Sequence, residues 1–316
     1  MLPCAPVILP DPPEPPEPLG LIAGAGQLPR LVAEGMRQAG HPVRGVGFVN
    51  QYDPELPGLC ESFREVGALR LGEWARKLRS LGVRYAVMVG RVDKAKIMHS
   101  WVTILRNRPD IRTTKLWVTN TRDRRSHNIL RTIADELAKD GVHLIDSTAH
   151  IAEHLAHAGT MTETQPTPRQ QADIELAWPI LQRLLSLDVG QAITVRGGDT
   201  IAVEAVEGTD RMITRSGELC RAGGWTLLKG ARANHDRRAD VPTIGPDTIR
   251  NMHRNGGRCI GLASGDVIII DKPETLALAD ELGVSIVGLA PSPVLTVDRP
   301  AVSQAAVESA AAAQSA

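Results

Sequence analysis

Apolar and polar positions in the first half of the chain alternate between the patterns of strands and helices. Short apolar runs predict strands at 19–24, 43–49, 85–90 and 142–145. Apolar residues at helical spacing predict helices at 29–39, 69–81 and 129–139. This alternation predicts a parallel, doubly wound sheet with helices on its faces.

The second half repeats the α/β pattern with a different spacing. Helices are predicted at 172–186, 246–255 and 273–282, and Pro179 is expected to kink the first of these or to mark its true start. Strands are predicted near 189–195, 201–206, 225–228, 258–263, 266–270 and 284–289. The pattern therefore indicates a second α/β domain.

Composition changes along the chain set the predicted boundaries. The low-apolar run 159–171, rich in Thr, Pro and Gln, is predicted to link a domain at 19–158 to one at 172–290. The proline-rich lead 1–18 is predicted to be a dispensable, extended or disordered tail, and the Ala/Ser-rich end 291–316 to be disordered.

The overall composition is that of a globular protein and excludes several classes. Lys plus Arg and Asp plus Glu both total 36, so net charge does not favour nucleic acid as a partner. The four cysteines form no CxxC pair, which disfavours a structural zinc and fits a reducing cytoplasm. No apolar run reaches the roughly 18 residues of a membrane helix. A soluble, cytoplasmic protein is expected.

Glycines at the ends of two predicted strands form the first candidate site. Gly24-Ala-Gly26 lies between a strand and a helix, where bare amides can bind a phosphate or sugar. Its GxGxxP spacing, with Pro29 at the third glycine position, departs from the dinucleotide fingerprint. Gly90-Arg91 ends another strand, and the arginine fork matches phosphate oxygens. A tight turn without ligand and a solvated arginine are the alternatives.

Acidic residues in the second half form the other candidate site. Glu204, Glu207 and Asp210 fall in one turn-forming region after a predicted strand. The segment 236–240 places Asp236 and Asp240 beside Arg237 and Arg238. Carboxylates at this density suit Mg²⁺ or another divalent cation such as Mn²⁺, while the arginines would hold phosphate oxygens. Salt-bridged turns are the alternative.

Five motifs resemble the LpxI-type UDP-2,3-diacylglucosamine pyrophosphatases, in the family's order and spacing. They are Gly20-Leu-Ile-Ala-Gly-Ala-Gly-Gln-Leu-Pro29, Val89-Gly-Arg-Val92, Asp188-Val-Gly-Gln191, Ala202-Val-Glu-Ala-Val-Glu-Gly-Thr-Asp210 and Arg238-Ala-Asp-Val-Pro-Thr-Ile-Gly245. The resemblance implies a Rossmann-like N-terminal domain and a distinct C-terminal α/β domain with the lipid product held between them.

The resemblance also implies an activity. The expected enzyme is cytoplasmic, contacts the inner face of the membrane, and belongs to lipid A biosynthesis. It would use water and a divalent metal to split the pyrophosphate of UDP-2,3-diacylglucosamine into UMP and 2,3-diacylglucosamine 1-phosphate. The motif aspartate needed for activity is Asp240. Predicted substrate contacts are Gly26, Gln27, Gly90, Arg91, Gln191, Thr209, Leu228, Lys229 and Arg237, and the metal-ligand candidates are Glu204, Glu207, Asp210 and Asp236.

Two stretches depart from the family pattern, and two other functions stay open. The family usually has Lys-Pro-x-Gln where this chain has Arg232-Ala-Asn-His235, and Gly-Asp-Asp-Ala where it has Arg125-Ser-His-Asn128. Lipid contacts and acyl-chain preference near these stretches are not implied, and neither is the oligomeric state. The alternatives are a non-catalytic nucleotide-sugar binding module and a nicotinamide-dependent oxidoreductase, which Pro29 disfavours.

Overall fold

The computed structural model contains two α/β domains, each with its own sheet. It describes residues 9–92, 109–119, 126–232, 235–238 and 241–290. The predicted tail 291–316 lies outside the described residues, and so do residues 1–8 of the predicted lead.

The N-terminal domain is a five-stranded parallel sheet covered by helices. The strand order is β3-β2-β1-β4-β5, which makes β1 the central strand. Its described elements are β1 (Leu19–Ala23), α1 (Leu28–Gln38), β2 (Val43–Phe48), α2 (Leu56–Leu59), β3 (Ser62–Val66), α3 (Leu71–Ser80), β4 (Tyr85–Val89), α4 (Ile111–Thr119), α5 (Ser126–Lys139), β5 (His143–Leu144) and a 3₁₀ turn at Ala152–His154. All five positions of β1 are buried, as expected for a strand covered on both faces. The predicted doubly wound sheet is confirmed.

The C-terminal domain has a mixed six-stranded sheet and a small two-stranded one. The order of the large sheet is β6-β13-β11-β9-β7-β8, and β10 pairs with β12 separately. The elements are β6 (Gly159–Thr160), α6 (Pro168–Ser186), β7 (Ala192–Arg196), β8 (Asp199–Val203), α7 (Thr209–Leu219), β9 (Trp225–Lys229), β10 (Thr243–Ile244), α8 (Pro246–Arg254), β11 (Gly257–Ala263), β12 (Ile268–Ile269), α9 (Lys272–Glu281) and β13 (Ser285–Leu289).

Strand directions decide which residues share an edge of this sheet. Strands β9, β11 and β13 are parallel, and β7 runs antiparallel to both β8 and β9. The carboxyl ends of β8, β9 and β11 and the amino end of β7 therefore lie on one side, which we call the carboxyl edge. The residues of the second candidate site follow these strand ends.

Two predicted segments are ordered differently in the structure. The predicted linker 159–171 contains β6, which pairs with β13, and the start of α6. A capping box between Thr167 and Gln170 starts α6 at Pro168, and the helix continues through Pro179. In the lead, the carboxylate of Glu17 accepts a hydrogen bond from Arg84 at 3.0 Å, and its carbonyl oxygen lies 2.8 Å from Nδ1 of His41. The end of the lead is therefore packed on the N-terminal domain.

Apolar contacts join the two domains. Val241 and Ile268 of the C-terminal half belong to a core cluster whose other members include Leu21 and Ile145 of the N-terminal sheet. In the described part of the chain, no helix combines the length and apolar character needed to cross a membrane.

Candidate active site

The two glycine motifs of the N-terminal domain meet between β1 and β4. Ala25 and Arg91 exchange backbone hydrogen bonds of 2.8 and 2.9 Å. A Cβ added to Gly24 would lie 2.6 Å from the carbonyl oxygen of Arg91, so only glycine allows this approach. In this sheet β2 lies on one side of β1 and β4 on the other. The motifs therefore occupy the switch point of an open α/β sheet, where ligands usually bind.

This first half-site exposes glycine backbone and one guanidinium group to solvent. Gly26 and Gln27 are exposed just before α1, and Gly26 has a φ of +104° that favours glycine. Gly90 has a φ of +97° and is also exposed. The Arg91 side chain is exposed beside it and is not part of an ion pair among the described residues. The four predicted contacts therefore form one surface at a helix start, as anion binding requires.

The second half-site is a buried network at the carboxyl edge of the C-terminal sheet. Lys229 ends β9, Glu204 follows β8, and both side chains are only 4% exposed. The Lys229 ammonium donates to Oγ1 of Thr209 at 2.7 Å. The Thr209 hydroxyl in turn donates to the Glu204 carboxylate at 3.1 Å. A lysine, a hydroxyl and a carboxylate from three elements are thus linked in one chain of hydrogen bonds.

Gln191 and Gly190 complete this network. Burial raises the pKa of the Glu204 carboxyl, and the charge of Lys229 opposes that shift. A hydrogen bond from the Gln191 side chain also favours the ionised carboxylate. A Cβ on Gly190 would overlap the carbonyl oxygen of Glu204, so the Asp188-Val-Gly-Gln191 motif needs its glycine to approach this strand end. Predicted contacts Gln191, Thr209 and Lys229 are therefore brought together.

Leu228 has a different environment. Its side chain is fully buried in the core of the C-terminal domain, on the face of the sheet opposite to that of its neighbour Lys229. In the sheet, Leu228 lies opposite Ile193 of β7 and Gly261 of β11. The Leu228 side chain therefore packs in the core, and its substrate contact stays a prediction.

The four metal-ligand candidates do not form one cluster. Among the described residues, no group of three or more His, Cys, Asp or Glu side chains is arranged to hold a metal. The carboxylate of Glu207 accepts hydrogen bonds from the Ala205 amide at 3.1 Å and from Arg215. A hydrogen bond from its own amide and the contact with Arg215 lower the pKa of Glu207. Asp210 is exposed in the first turn of α7, where helix amides favour an acid.

Asp236 is paired with Arg238. The arginine donates two hydrogen bonds to Oδ2 of Asp236, at 2.6 and 3.1 Å. Burial would raise the pKa of this carboxyl, but the bonds from Arg238 outweigh it and hold the pKa below its ordinary value. Arg238 also approaches Asp135 of α5 at 3.6 Å. The contact between Arg238 and Asp135 therefore attaches the segment 235–238 to the N-terminal domain.

Arg237 connects the two domains. Its Nε donates to Asp146 at 2.8 Å and its Nη2 to the Thr148 hydroxyl at 2.6 Å, both just after β5. Its Nη1 donates to the Gly265 carbonyl at 3.0 Å and to the Asp266 carboxylate at 3.1 Å, both just after β11. The carboxyl ends of both sheets therefore converge on this side chain. Most of the donor capacity of Arg237, a predicted substrate contact, is used by protein oxygens.

Asp240 lies outside the described residues, but both flanks of its segment are anchored. Arg237 and Arg238 hold the preceding residues, and Val241 is buried in the core cluster shared by the domains. His235 at the start of the segment is half-buried, and this burial lowers its pKa. The described residues on either side of this position, 235–238 and Val241, are therefore held between the domains.

Comparisons with known proteins match nearly the whole chain. A family model described as "LpxI N-terminal domain" matches residues 18–155, and one described as "LpxI C-terminal domain" matches residues 157–287. The "UDP-2,3-diacylglucosamine pyrophosphatase LpxI" of Caulobacter vibrioides is 31% identical over 283 residues, which cover 85% of this chain and 96% of that protein. The matches to the two family models are separated by one residue, after the 3₁₀ turn that follows β5 and before β6 of the C-terminal sheet. The chain belongs to the LpxI family.

Proposed function

We propose that the protein hydrolyses the pyrophosphate bond of UDP-2,3-diacylglucosamine in lipid A biosynthesis, giving UMP and 2,3-diacylglucosamine 1-phosphate. The observation that carries the proposal is the convergence of the two sheets' carboxyl ends on Arg237. Each of these edges bears a half-site with a cation, Arg91 on one and Lys229 on the other. The similar Caulobacter protein is named for this pyrophosphatase activity.

The half-sites suit a substrate with two phosphates between a sugar and a nucleoside. The exposed amides near Gly26 and the Arg91 guanidinium would bind phosphate or sugar oxygens. Lys229 is buried and oriented by Thr209, so it would offset charge that develops on a phosphate with little reorganisation. Water attacks one phosphorus as the bridging P–O bond breaks, and the proton lost by water is accepted by a carboxylate. We assign that role to Asp240 from its motif.

A divalent cation is part of the proposal. Mg²⁺ is commonly held by one or two carboxylates together with substrate phosphates, so a cluster of three acids is not required. Glu207 and Asp236 are paired with arginines, and Glu204 is linked through Thr209 to Lys229. Of the four candidates, Asp210 at the start of α7 is therefore the residue that would hold it. When bound, the cation would neutralise charge on the pyrophosphate.

The location proposed for the protein follows from the substrate. A diacylated sugar nucleotide resides in a membrane with its nucleotide in water. We therefore propose that the protein works in the cytoplasm and contacts the inner face of the membrane.

The test is incubation of the purified protein with UDP-2,3-diacylglucosamine, with Mg²⁺ or with EDTA, followed by quantification of UMP. The proposal predicts UMP in stoichiometric yield with the lipid phosphate, and a loss of UMP in EDTA that added Mg²⁺ or Mn²⁺ restores. Binding of the substrate without UMP release would instead establish a nucleotide-sugar binding module. Saturable NADH binding without UMP release would favour an oxidoreductase.

A further inference from the structure

A cavity lined in part by arginines borders the opposite edge of the C-terminal sheet. It has a volume of about 390 Å³, and its walls include Arg196 at the end of β7, Gly224 before β9 and Arg258 in β11. Gly224 precedes β9 and Lys229 ends it, and a five-residue strand spans roughly 17 Å. The cavity is therefore separate from the proposed active site.

The charged residues that line this cavity are all arginines. Three arginines contribute to its lining, and none of the nine lining residues is acidic. No ion pair joins Arg169, Arg196 or Arg258 to a carboxylate within the part of the chain that the structure describes. Three unpaired guanidinium groups around one concave surface attract an anion.

Arg196 supplies a further indication of a ligand. Its Nε is buried and has no hydrogen-bond partner among the described residues. A buried N–H without an acceptor is costly, and native proteins rarely keep one. Arg258 uses Nη1 for the carbonyl oxygens of His253 and Gly257, at 3.1 and 2.9 Å, which holds its guanidinium at the cavity. The site is thus partly pre-organised.

The remaining lining residues limit the class of ligand. Thr167 and Gln170 are already engaged with each other in the capping box of α6, so recognition falls mainly to the arginines. The Thr164 side chain is likewise hydrogen-bonded to the Asp280 carboxylate. The Gln165 amide donates to backbone carbonyl oxygens of neighbouring residues. Arginine forks match the paired oxygens of phosphate, and the volume exceeds that of a bare phosphate ion.

We propose that this arginine cavity binds a phosphate group carried by a small organic molecule or by a lipid headgroup. The two sources share the same chemistry at the arginines. A soluble ligand would enter the cavity alone, whereas a lipid headgroup would attach this edge of the sheet to a bilayer. The proposal is independent of the pyrophosphatase activity.

The test compares the full-length protein with Arg196→Gln/Arg258→Gln and with a control that loses the same charge elsewhere. Arg250→Gln/Arg254→Gln is that control, since both residues are exposed on α8 of the same domain. Glycerol 3-phosphate binding is measured by calorimetry, and sedimentation is measured with vesicles of phosphatidylglycerol or of phosphatidylcholine. Thermal unfolding of each variant shows whether it is folded, and Arg196→Lys provides a milder change that removes only the fork.

The proposal predicts that the cavity variant lowers affinity for glycerol 3-phosphate or for phosphatidylglycerol vesicles at least about tenfold, while the control does not. Loss of the soluble ligand alone identifies a small-molecule site, and loss of vesicle binding alone identifies a headgroup site. Equal affinity in the cavity variant and the wild type would overturn the proposal, as would equal losses in the cavity variant and its control. The absence of any saturable binding by the wild type to either probe would also overturn it.

Discussion

At the scale of single residues, the second half-site depends on two buried charged side chains, Lys229 and Glu204. Both side chains are buried, and Thr209 bridges them. Their opposite charges interact through this bridge, and removing one of two opposite buried charges leaves the other uncompensated, which typically costs about 3–5 kcal/mol. The pair therefore links stability to the proposed binding of phosphate.

We predict that Lys229→Met lowers UMP formation by roughly 100-fold or more, because a pre-organised charge is lost. The free energy of unfolding, measured in urea, should fall by about 3 kcal/mol. Adding Glu204→Gln to this variant should recover part of the stability but none of the activity. Full activity in Lys229→Met would remove Lys229 from the proposed mechanism.

The raised pKa of Glu204 gives a prediction about pH. A carboxyl whose folded-state pKa is raised contributes stability below its unfolded value of about 4.3 and loses it as pH rises through the folded value. The wild type should therefore lose stability relative to Glu204→Gln as pH rises through that window. Thermal unfolding of both proteins at several pH values across this window measures the difference in their stability. A difference that does not change with pH would contradict the buried environment assigned to Glu204.

At the scale of elements, the β1–α1 and β4 ends form one rigid platform because Gly24 and Gly90 touch through backbone. Apolar patterns predicted β1, β2 and β4 well, since buried parallel strands are continuous apolar runs. The same reasoning missed β3, whose Ser-Phe-Arg-Glu-Val sequence is half exposed at the sheet edge. It also missed α7, and therefore interpreted Thr209 and Asp210 as turn residues rather than as the start of a helix.

We predict that Gly24→Ala weakens substrate binding and lowers stability by about 1–3 kcal/mol, since the new Cβ meets backbone atoms that cannot move aside. Gly58→Ala is the matched control, because nothing lies within 4 Å of its added Cβ and its φ is not positive. The Michaelis constant for the lipid nucleotide and the unfolding free energy report the two effects. Equal values for both variants would mean that the glycine contact is dispensable.

At the scale of the whole molecule, Arg237 joins the carboxyl ends of the two sheets. Its partners Asp146 and Asp266 lie 91 and 29 residues away in sequence. No local pattern could identify them, because they are brought together only by the relative placement of two domains. The motifs predicted residues that the structure brings together at each sheet edge, such as Gln191, Thr209 and Lys229, but the sequence did not show which acids are paired with arginines.

We predict that Arg237→Ala lowers turnover more than it lowers affinity for UMP, because the two half-sites lose their relative position. Arg237→Lys should not restore activity, since one ammonium cannot replace a fork that binds four oxygens. A double-mutant cycle with Asp266→Asn should give a coupling of about 0.5–3 kcal/mol in the free energy of unfolding. Additive effects would show that Arg237 does not hold the domains together.

The most direct test of the central claim is the rate of UMP release from UDP-2,3-diacylglucosamine by Asp240→Asn. Asp247→Asn is the control, because its carboxylate is almost fully exposed on α8 and pairs only with the nearby Arg250 among described residues. We expect Asp240→Asn to bind the lipid nucleotide but to release UMP at least about 100-fold more slowly, while the control retains the wild-type rate. Wild-type turnover by Asp240→Asn would contradict the proposed catalytic site.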